Sequence, residues 1–300
     1  MEIVRCVNLS KRYRNLTALD NVNLSIEAGK PVALVGPNGA GKTTLISLIS
    51  GFIHANQGNV TVCGAPPGHA SVKNKLSVLP QDALFDPNFT IGSQLKLYAR
   101  LRGISNPTDE VKRVLQRVQL QDQLGNKSPN LSHGMRKRLL IAQSLLGQPE
   151  LILLDEPTAG IDPPNAKLIR DLISAESSNT TFVVSSHNLD ELEKVCETVI
   201  HLVDGKLISH SAISDTATEK GYLTLVADPD ARQLIETIEG FIRVHQSQAN
   251  EFIVQFDAVA YPQFHISLLQ LLADNNLPYK RLINGRTLEE KMYHSEKVAD

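Results

Sequence analysis

Apolar and polar residues alternate along the first two segments of the chain, EIVRCVNLS and ALDNVNLSIEAG. Alternation with a period of two is typical of β-strands that bury one face, and we expect these two strands to pair on an antiparallel sheet. The pattern changes at residues 31–36, where PVALVG is apolar throughout and indicates a buried strand. Helical spacing follows in LISLISGF, and NVTVCG and KLSVLPQ indicate two more strands.

The middle of the chain contains predicted helices first and then buried strands. From Thr90 to Gln123 apolar residues recur at helical spacing among charges, so we expect a helical insertion over about residues 90–147. Its last part, LSHGMRKRLLIAQSLLG, predicts a helix with Ser132 as N-cap. LILLDEP and TFVVSSH indicate buried strands, followed by the predicted helices DPPNAKLIRDLISAES and NLDELEKVCE. TVIHLVDGKLIS predicts a hairpin with Asp204 and Gly205 at its turn.

A separate pattern begins after residue 220, which predicts a domain of residues 1–220 and a smaller one of residues 221–300. Strands are predicted in YLTLVAD, FIRVHQ, EFIVQFD and PYKRLING, and helices in ARQLIETIEG and PQFHISLLQLLADNN. The order strand–helix–strand–strand–helix–strand is that of a ferredoxin-like α+β fold. Because this region has no glycine-rich loop, acid pair or ligand cluster, we expect a dimerisation or regulatory module; a packing appendage is the alternative.

Composition limits the classes of function. The formal net charge of −2 gives no indication of a nucleic-acid partner. The three cysteines are far apart and include no CxxC, which argues against a zinc site or a disulfide framework and suits a reducing cytosol. The amino terminus does not resemble a signal peptide, and no stretch approaches the roughly 20 apolar residues that span a bilayer. Work at a membrane would therefore require a separate spanning partner.

The segment GPNGAGKT, from Gly36 to Thr43, matches the P-loop pattern in full. Its glycines let the backbone wrap a phosphate chain, with N–H groups directed at the oxygens. Lys42 is expected to reach the β- and γ-phosphates, and the Thr43 hydroxyl to ligate Mg²⁺. The segment follows a predicted strand and opens a predicted helix, which argues against a merely glycine-rich turn. We therefore predict ATP and Mg²⁺ as ligands, with nucleotide contacts from Asn38, Gly39, Gly41, Lys42, Thr43 and Thr44.

Two acids, Asp155 and Glu156, end the buried strand LILLDEP. Buried neighbouring carboxylates are costly unless they serve a cation or a proton. Asp155 is expected to hold Mg²⁺ through its water shell, and Glu156 to polarise the water that attacks the γ-phosphate. A strand end that simply turns into solvent is the alternative, which the P-loop disfavours.

The P-loop, an LSxG turn, LILLDEP, AGID and a strand-ending His187 occur in the order found in ATP-binding subunits of ABC transporters, which residues 2–220 resemble. The resemblance implies a P-loop NTPase core of α/β class with an antiparallel β subdomain and the helical insertion. It implies that Tyr13 stacks on adenine and that Gln81 joins Mg²⁺ to the membrane partner. It also implies that Asp162 lines the subunit interface and that His187 contacts the γ-phosphate. Taken alone, Tyr13 is equally consistent with a surface aromatic and His187 with a capped core histidine.

The turn LSHGM departs from the LSGGQ form of this family at His133 and Met135. In the family, this turn binds the γ-phosphate held by the opposite subunit through the serine hydroxyl, backbone N–H groups and a helix N-terminus. Ser132 and Gly134 supply those contacts here, whereas Met135 gives up an amide hydrogen bond worth about 0.5–1.5 kcal/mol. The side chain of His133 can point away from the ligand. We predict a functional turn; a decayed turn is the alternative.

The resemblance thus predicts an ATP hydrolase that powers export through a separate permease, as a dimer on the cytoplasmic face of the cell membrane. Within the family it resembles bacterial exporter ATPases, a group that includes drug and sodium exporter ATPases and the ATPase of copper-site maturation of nitrous oxide reductase. A copper-site maturation complex and a soluble ABC ATPase remain alternatives. A chromosome-maintenance ATPase would need a long coiled coil, but only about 90 residues separate Lys42 from Ser132, without sustained heptads. A ribosome-associated ATPase normally carries two nucleotide domains.

The loop QDALFDPNFTIG, which begins at Gln81, contains the apolar residues Leu84, Phe85 and Phe89. We expect these side chains to be exposed as a cluster, which usually marks a partner site. Packing of the loop against the helical insertion is the alternative.

Overall fold

The computed structural model describes residues 1–186, 192, 195–212, 220–248, 250–258 and 260–284. The chain divides into two compact units, Met1–Ile213 and Ser214–Asp300. No helix in these described ranges is long and apolar enough to cross a membrane. The same ranges contain no cluster of three or more His, Cys, Asp or Glu side chains that could bind a metal ion.

The first unit combines two sheets with helices on and between them. Its elements in chain order are β1 (Glu2–Tyr13), β2 (Leu16–Glu27), β3 (Val32–Val35), α1 (Lys42–Ile49), β4 (Gln57–Val62), β5 (Leu76–Leu79), α2 (Ile91–Leu101), α3 (Pro107–Arg117), α4 (His133–Ser144), β6 (Leu151–Leu154), α5 (Pro163–Glu176), β7 (Thr181–Ser186), β8 (Thr198–Val203) and β9 (Lys206–Ala212). Short 3-10 helices cover Gln121–Gln123 and Ser128–Asn130.

An antiparallel sheet holds the amino-terminal strands in the order β2-β1-β4. Cys6 of β1 lies opposite Leu24 of β2 on one side and Val60 of β4 on the other. The predicted pairing of the first two strands is confirmed. The inner face of this antiparallel sheet buries residues such as Val4, Leu9 and Val22 at the alternating positions that the sequence pattern indicates.

The six-stranded sheet has the order β5-β6-β7-β3-β8-β9. Its first five strands in this order, including β3, pair in parallel, and β9 pairs antiparallel with β8. β3, β6 and β7 are buried along their whole length, as expected for parallel strands covered on both faces. The hairpin turn at Asp204 and Gly205 is confirmed, and both residues have positive φ, of 46° and 77°. Since parallel strands end at one edge, the carboxyl ends of β3, β6 and β7 lie there together.

Helices α2, α3 and α4 lie between β5 and β6 in the chain, and they pack on one another and, through α4, on β5. Thr90, Asn106 and Ser132 cap them, each by accepting a hydrogen bond from a backbone N–H of the first turn. The prediction that Ser132 is an N-cap is confirmed. Glu110 of α3 accepts hydrogen bonds from Arg113 and from the N–H of Gly147, which ties α3 to the segment after α4.

The second unit contains β10 (Lys220–Ala227), α6 (Ala231–Ile235), β11 (Phe241–Gln248), β12 (Glu251–Asp257), α7 (Phe264–Asp274) and β13 (Tyr279–Asn284). Its antiparallel sheet has the order β11-β12-β10-β13, which is the ferredoxin-like arrangement that the sequence predicted. Its core includes stacked Phe256 and Phe264, with ring centroids 4.5 Å apart. Helix α6 is shorter than predicted, because the chain turns at Thr237 and reaches Gly240 at φ 90°.

Candidate nucleotide-binding site

The P-loop connects β3 to α1 at the carboxyl edge of the six-stranded sheet. Gly41 is the N-cap of α1 at φ 104°. A Cβ atom there would lie 2.5 Å from the carbonyl oxygen of Ala18, so only glycine fits. Gly39, at φ 86°, has open space where a Cβ would project. The loop therefore forms a cradle whose helix N-terminus favours an anion.

Lys42 lies buried beneath this cradle. Its Nζ atom donates hydrogen bonds to the carbonyl oxygens of Gly36 at 2.7 Å and of Pro37 at 3.1 Å. Burial lowers the pKa of Lys42, and the carboxylates of Glu156 and Asp155 oppose that shift. The Lys42 ammonium is held in place by the loop carbonyls. Because it is positively charged, it is suited to bind the negatively charged oxygens of a polyphosphate.

Thr43 and Asp155 meet although they are far apart in sequence. The Thr43 hydroxyl donates a hydrogen bond to Oδ2 of Asp155 at 2.8 Å. A threonine hydroxyl beside a carboxylate is the set of hard oxygen donors that Mg²⁺ takes together with phosphate oxygens. The residues present therefore fit Mg²⁺, as the sequence indicated.

Glu156 follows Asp155 in an unusual backbone conformation, with φ 49°. Its N–H donates to the hydroxyl of Ser185 at 2.9 Å, and that hydroxyl donates to Oδ1 of Asp155 at 2.5 Å. Both acids and Ser185 are buried. Ser185 was missed in the sequence, where the only signal was a pair of serines at the end of the otherwise apolar run TFVVSS.

The remaining predicted nucleotide contacts differ in how far they are exposed. Asn38 is exposed in the P-loop, and Thr44 is half-buried in the first turn of α1. Gln81 is exposed just after β5, and its carbonyl oxygen accepts a hydrogen bond from Nζ of Lys137 at 3.3 Å. His187 lies outside the described residues.

Tyr13 ends β1 and is 44% exposed. The Lys11 ammonium lies 5.1 Å from the centroid of its ring and donates to the carbonyl oxygen of His54 at 2.7 Å. Among the hydrogen bonds of the described residues, none joins Tyr13 or Ser132 directly to the P-loop.

The LSHGM turn lies at the start of α4. The Ser132 hydroxyl accepts the N–H of Met135 at 3.2 Å, and His133 is exposed. A Cβ atom on Gly134 would lie 2.5 Å from the side chain of Asn165, whose Nδ2 atom donates to Asp162 at 2.7 Å. The turn therefore packs on the first residues of α5, and Asn165 is a second residue that the sequence patterns did not indicate.

The loop after Gln81 only partly matches its prediction. Leu84 and Phe89 are exposed, at 82% and 55%, but Phe85 is only 6% exposed. Phe85 packs edge-on against Tyr98 of α2, with ring centroids 6.4 Å apart. The expectation that Phe85 is exposed was wrong, because this side chain anchors the loop on the helical insertion.

Near this loop a groove of about 460 Å³ lies between the six-stranded sheet and helix α2. Apolar and basic side chains line it together, among them Phe52, His69, Lys73, Tyr98, Leu101 and Arg102. Arg102 is held in place by hydrogen bonds to the carbonyl oxygen of Asn74 and the hydroxyl of Ser77.

Comparisons with known proteins show which family the chain belongs to. The ABC transporter family profile matches residues 19–159. The Nod factor export ATP-binding protein I of Burkholderia lata is 32% identical over 210 residues, which cover 68% of this chain and 69% of that protein. The SkfA peptide export ATP-binding protein SkfE of Bacillus subtilis is 31% identical over 211 residues, which cover 69% and 88%. The linearmycin resistance ATP-binding protein LnrL of B. subtilis is 31% identical over 231 residues, which cover 75% and 74%.

Solved structures have the same fold. An ATP-binding subunit of an ABC transporter superposes with a TM-score of 0.65 at 24% identity, covering 71% of this chain and 91% of that chain. A dimeric ATP-binding cassette in a post-hydrolysis state, bound to ADP and Pi, gives a TM-score of 0.65 at 24% identity, covering 70% and 99%. The chain therefore belongs to the family of ABC transporter ATP-binding proteins. It is an ATP-binding and ATP-hydrolysing protein of that family.

Proposed function

We propose that this chain powers export through a separate membrane-spanning permease and works at the cytoplasmic face of the membrane. The observation that carries the energy-coupling part is the hydrogen bond of Thr43, at the end of the P-loop, to Asp155, which follows β6 and directly precedes Glu156. The direction of transport is supported by relatives that are named for export of Nod factor and of a peptide. Nucleic acid is not among the proposed partners.

Each residue of the site then has a role in hydrolysis. Lys42 binds the β- and γ-phosphates, while Thr43 and Asp155 hold Mg²⁺, which neutralises charge on the phosphate oxygens when bound. Glu156 orients the attacking water and accepts its proton. Tyr13 stacks on adenine through its exposed ring, while Asn38, Gly39, Gly41 and Thr44 complete the phosphate cradle. Gln81 and His187 contact the metal and the γ-phosphate respectively.

A second copy of the chain completes the site. Ser132 and the N-terminus of α4 are exposed, so they are available to a phosphate held by another subunit. Asp162 caps α5 beside the turn and lines the same interface. We therefore propose a homodimer with two ATP molecules between the subunits.

The permease is the proposed occupant of the groove between the six-stranded sheet and α2. Leu84 and Phe89 are exposed apolar residues of the loop that Phe85 anchors on Tyr98 of this groove, and exposed apolar clusters of this kind mark interaction sites. Membership of a transporter family argues for a cytoplasmic segment of the permease as the occupant. Gln81 starts this loop, which gives a short route from the metal site to the partner.

The test is purification of the tagged chain from membranes, followed by reconstitution. We expect an integral membrane protein to co-purify and, in proteoliposomes with this chain, to give Mg²⁺-ATP-dependent movement of its cargo. The Glu156→Gln variant is the matched control, since it should assemble without transporting. Recovery with ribosomes or DNA instead, and no stimulation of transport by the wild-type chain, would contradict the proposal. Cargo that proves to be a copper-site precursor would favour the maturation alternative.

A further inference from the structure

Ser185 connects the two acids through a single hydroxyl group. A serine hydroxyl has one hydrogen to donate and two lone pairs to accept with. Its hydrogen goes to Oδ1 of Asp155 at 2.5 Å, and one lone pair takes the N–H of Glu156 at 2.9 Å. One side chain of β7 therefore holds the side chain of one acid and the backbone of the next.

The two oxygens of Asp155 consequently have different surroundings. Oδ1 faces β7 and is bound by Ser185, whereas Oδ2 faces α1 and is bound by Thr43 at 2.8 Å. With Oδ1 fixed from the strand side, the carboxylate cannot rotate without breaking a buried hydrogen bond. Oδ2 is therefore the oxygen held towards the P-loop.

The backbone of Glu156 also depends on this hydroxyl. A φ of 49° is a conformation that side chains other than glycine rarely adopt, and such strain persists where neighbouring groups enforce it. The hydrogen bond from the N–H of Glu156 to Ser185 is such a group. Without it, the buried N–H of Glu156 loses this hydrogen bond, and the carboxylate of Glu156 can move as the backbone relaxes.

We propose that Ser185 is a positioning residue of the catalytic site, which orients Asp155 towards Mg²⁺ and holds Glu156 in its strained conformation. This inference rests on the proposed roles of Asp155 and Glu156. Groups that orient a metal-binding residue typically affect metal affinity or activity by about 10- to 100-fold.

A matched control lies on the same strand. Thr181 is also buried on β7, and alternation places it on the same face as Ser185. Its hydroxyl accepts the N–H of Gly29 at 2.9 Å, and Gly29 lies in the turn before β3 rather than in the site. Thr181→Val therefore removes a comparable buried hydroxyl without touching either acid.

The experiment compares Ser185→Ala, Ser185→Thr and Thr181→Val with the wild-type chain. Binding of a fluorescent ATP analogue is titrated first in EDTA and then against Mg²⁺, and kcat and KM for ATP are measured separately. For Ser185→Ala we expect binding of the ATP analogue in EDTA to be unchanged. The Mg²⁺ concentration that gives half of the Mg²⁺-dependent change in binding should rise about tenfold or more, and kcat should fall by a comparable factor. KM for ATP should change little. Ser185→Thr should recover most of the loss, and Thr181→Val should match the wild type in both measurements.

Several outcomes would overturn the proposal. They are a wild-type Mg²⁺ response and kcat in Ser185→Ala, the same losses in Thr181→Val, or no recovery in a Ser185→Thr protein that binds ATP in EDTA. If Ser185→Ala does not fold, Ser185→Cys keeps the side-chain size with a weak donor and is expected to show the same losses. A wild-type chain without Mg²⁺-dependent hydrolysis would instead contradict the proposed function itself.

Discussion

Glu156 and Lys42 differ in what they are expected to contribute, since one acts on water and the other on phosphate. We predict that Glu156→Gln keeps ATP binding but lowers turnover by about 10²- to 10⁴-fold, the usual contribution of a general base. Lys42→Ala should weaken ATP binding, because the phosphates lose their buried cation. Steady-state phosphate release and nucleotide titration measure the two effects.

Glu150→Gln is a suitable control for this pair of variants. Glu150 directly precedes β6, and its carboxylate pairs with Lys75 on the surface at 2.9 Å. Its loss should leave both nucleotide binding and turnover close to wild type, as surface ion pairs contribute little. Near-normal turnover in Glu156→Gln would show that Glu156 is not the base.

Ser132 has two roles that different substitutions can separate. As N-cap of α4 it stabilises the helix by about 1 kcal/mol, and as a phosphate ligand it should hold the second subunit. We predict that Ser132→Arg abolishes ATP-dependent dimerisation, measured by light scattering in the Glu156→Gln background. Ser132→Asp retains a capping oxygen but repels phosphate, so it should fold normally and still fail to dimerise.

His133 and Met135 should tolerate replacement by the residues usual in the family. Since His133 is exposed and the capping bond at Met135 uses only its backbone N–H, His133→Gly and Met135→Gln should keep or raise ATPase activity. The measurement is the ATPase rate of each purified dimer. A loss of activity in His133→Gly would mean that His133 has a role of its own.

The candidate site residues that the sequence indicated are those whose chemistry is local. The P-loop and the acid pair could be predicted because each is a continuous segment with a fixed relation to a strand and a helix. Ser185 and Asn165 were missed because their partners lie across β6 and β7, or across α4 and α5, and no local period encodes such contacts. Thr43 was a candidate because the P-loop pattern itself includes the hydroxyl, and its role as a Mg²⁺ ligand stays a prediction.

At the scale of elements, predictions held where capping or turn residues mark the ends. Ser132 begins α4, and the turn at Asp204 and Gly205 joins β8 to β9. The carboxyl half of the predicted helix ARQLIETIEG is not helical, although its apolar residues follow the spacing of a helix. There Thr237 bonds the carbonyl oxygen of Leu234 through its hydroxyl and competes with the helix.

The loop from Gln81 to α2 gives the prediction on coupling. We expect Leu84→Glu to weaken permease binding while basal ATPase activity stays intact, because Leu84 is exposed and contributes little to the fold. Phe85→Glu is not a usable test, since a charge at this buried position would destabilise the loop. Co-purification of the permease and the ATPase rate of the isolated chain are the two measurements.

Leu97→Glu serves as the control for this loop, as Leu97 is an exposed apolar residue of α2 that does not line the groove. It should retain the permease. Unchanged assembly and transport in Leu84→Glu, or an equal loss in Leu97→Glu, would count against a specific role of the loop.

At the scale of the whole molecule, the order of motifs along one chain was enough to predict the family and, with it, the two sheets of the first unit. The contact of Ser132 with a nucleotide on a second chain was also predicted from the motif order, and it stays a prediction because the structure holds one chain. The second unit is a different case. Its fold followed from strand and helix periodicity, and it has a core of its own around Phe252, Phe264 and Leu268.

The role of the second unit remains a prediction that truncation can test. A cut after Ala212 is preferable to one after His210, because Ser211 and Ala212 of β9 still pair with Val199 and Thr198. We expect the shortened chain to bind ATP normally, since the P-loop and both acids lie in the first unit. Because a separate fold with its own core offers further surface for pairing, the stable dimer or its coupling to the permease should be impaired. Nucleotide titration, light scattering with ATP and reconstituted transport measure these three properties, and a truncated chain that assembles and transports like the full one would leave the second unit as a packing appendage.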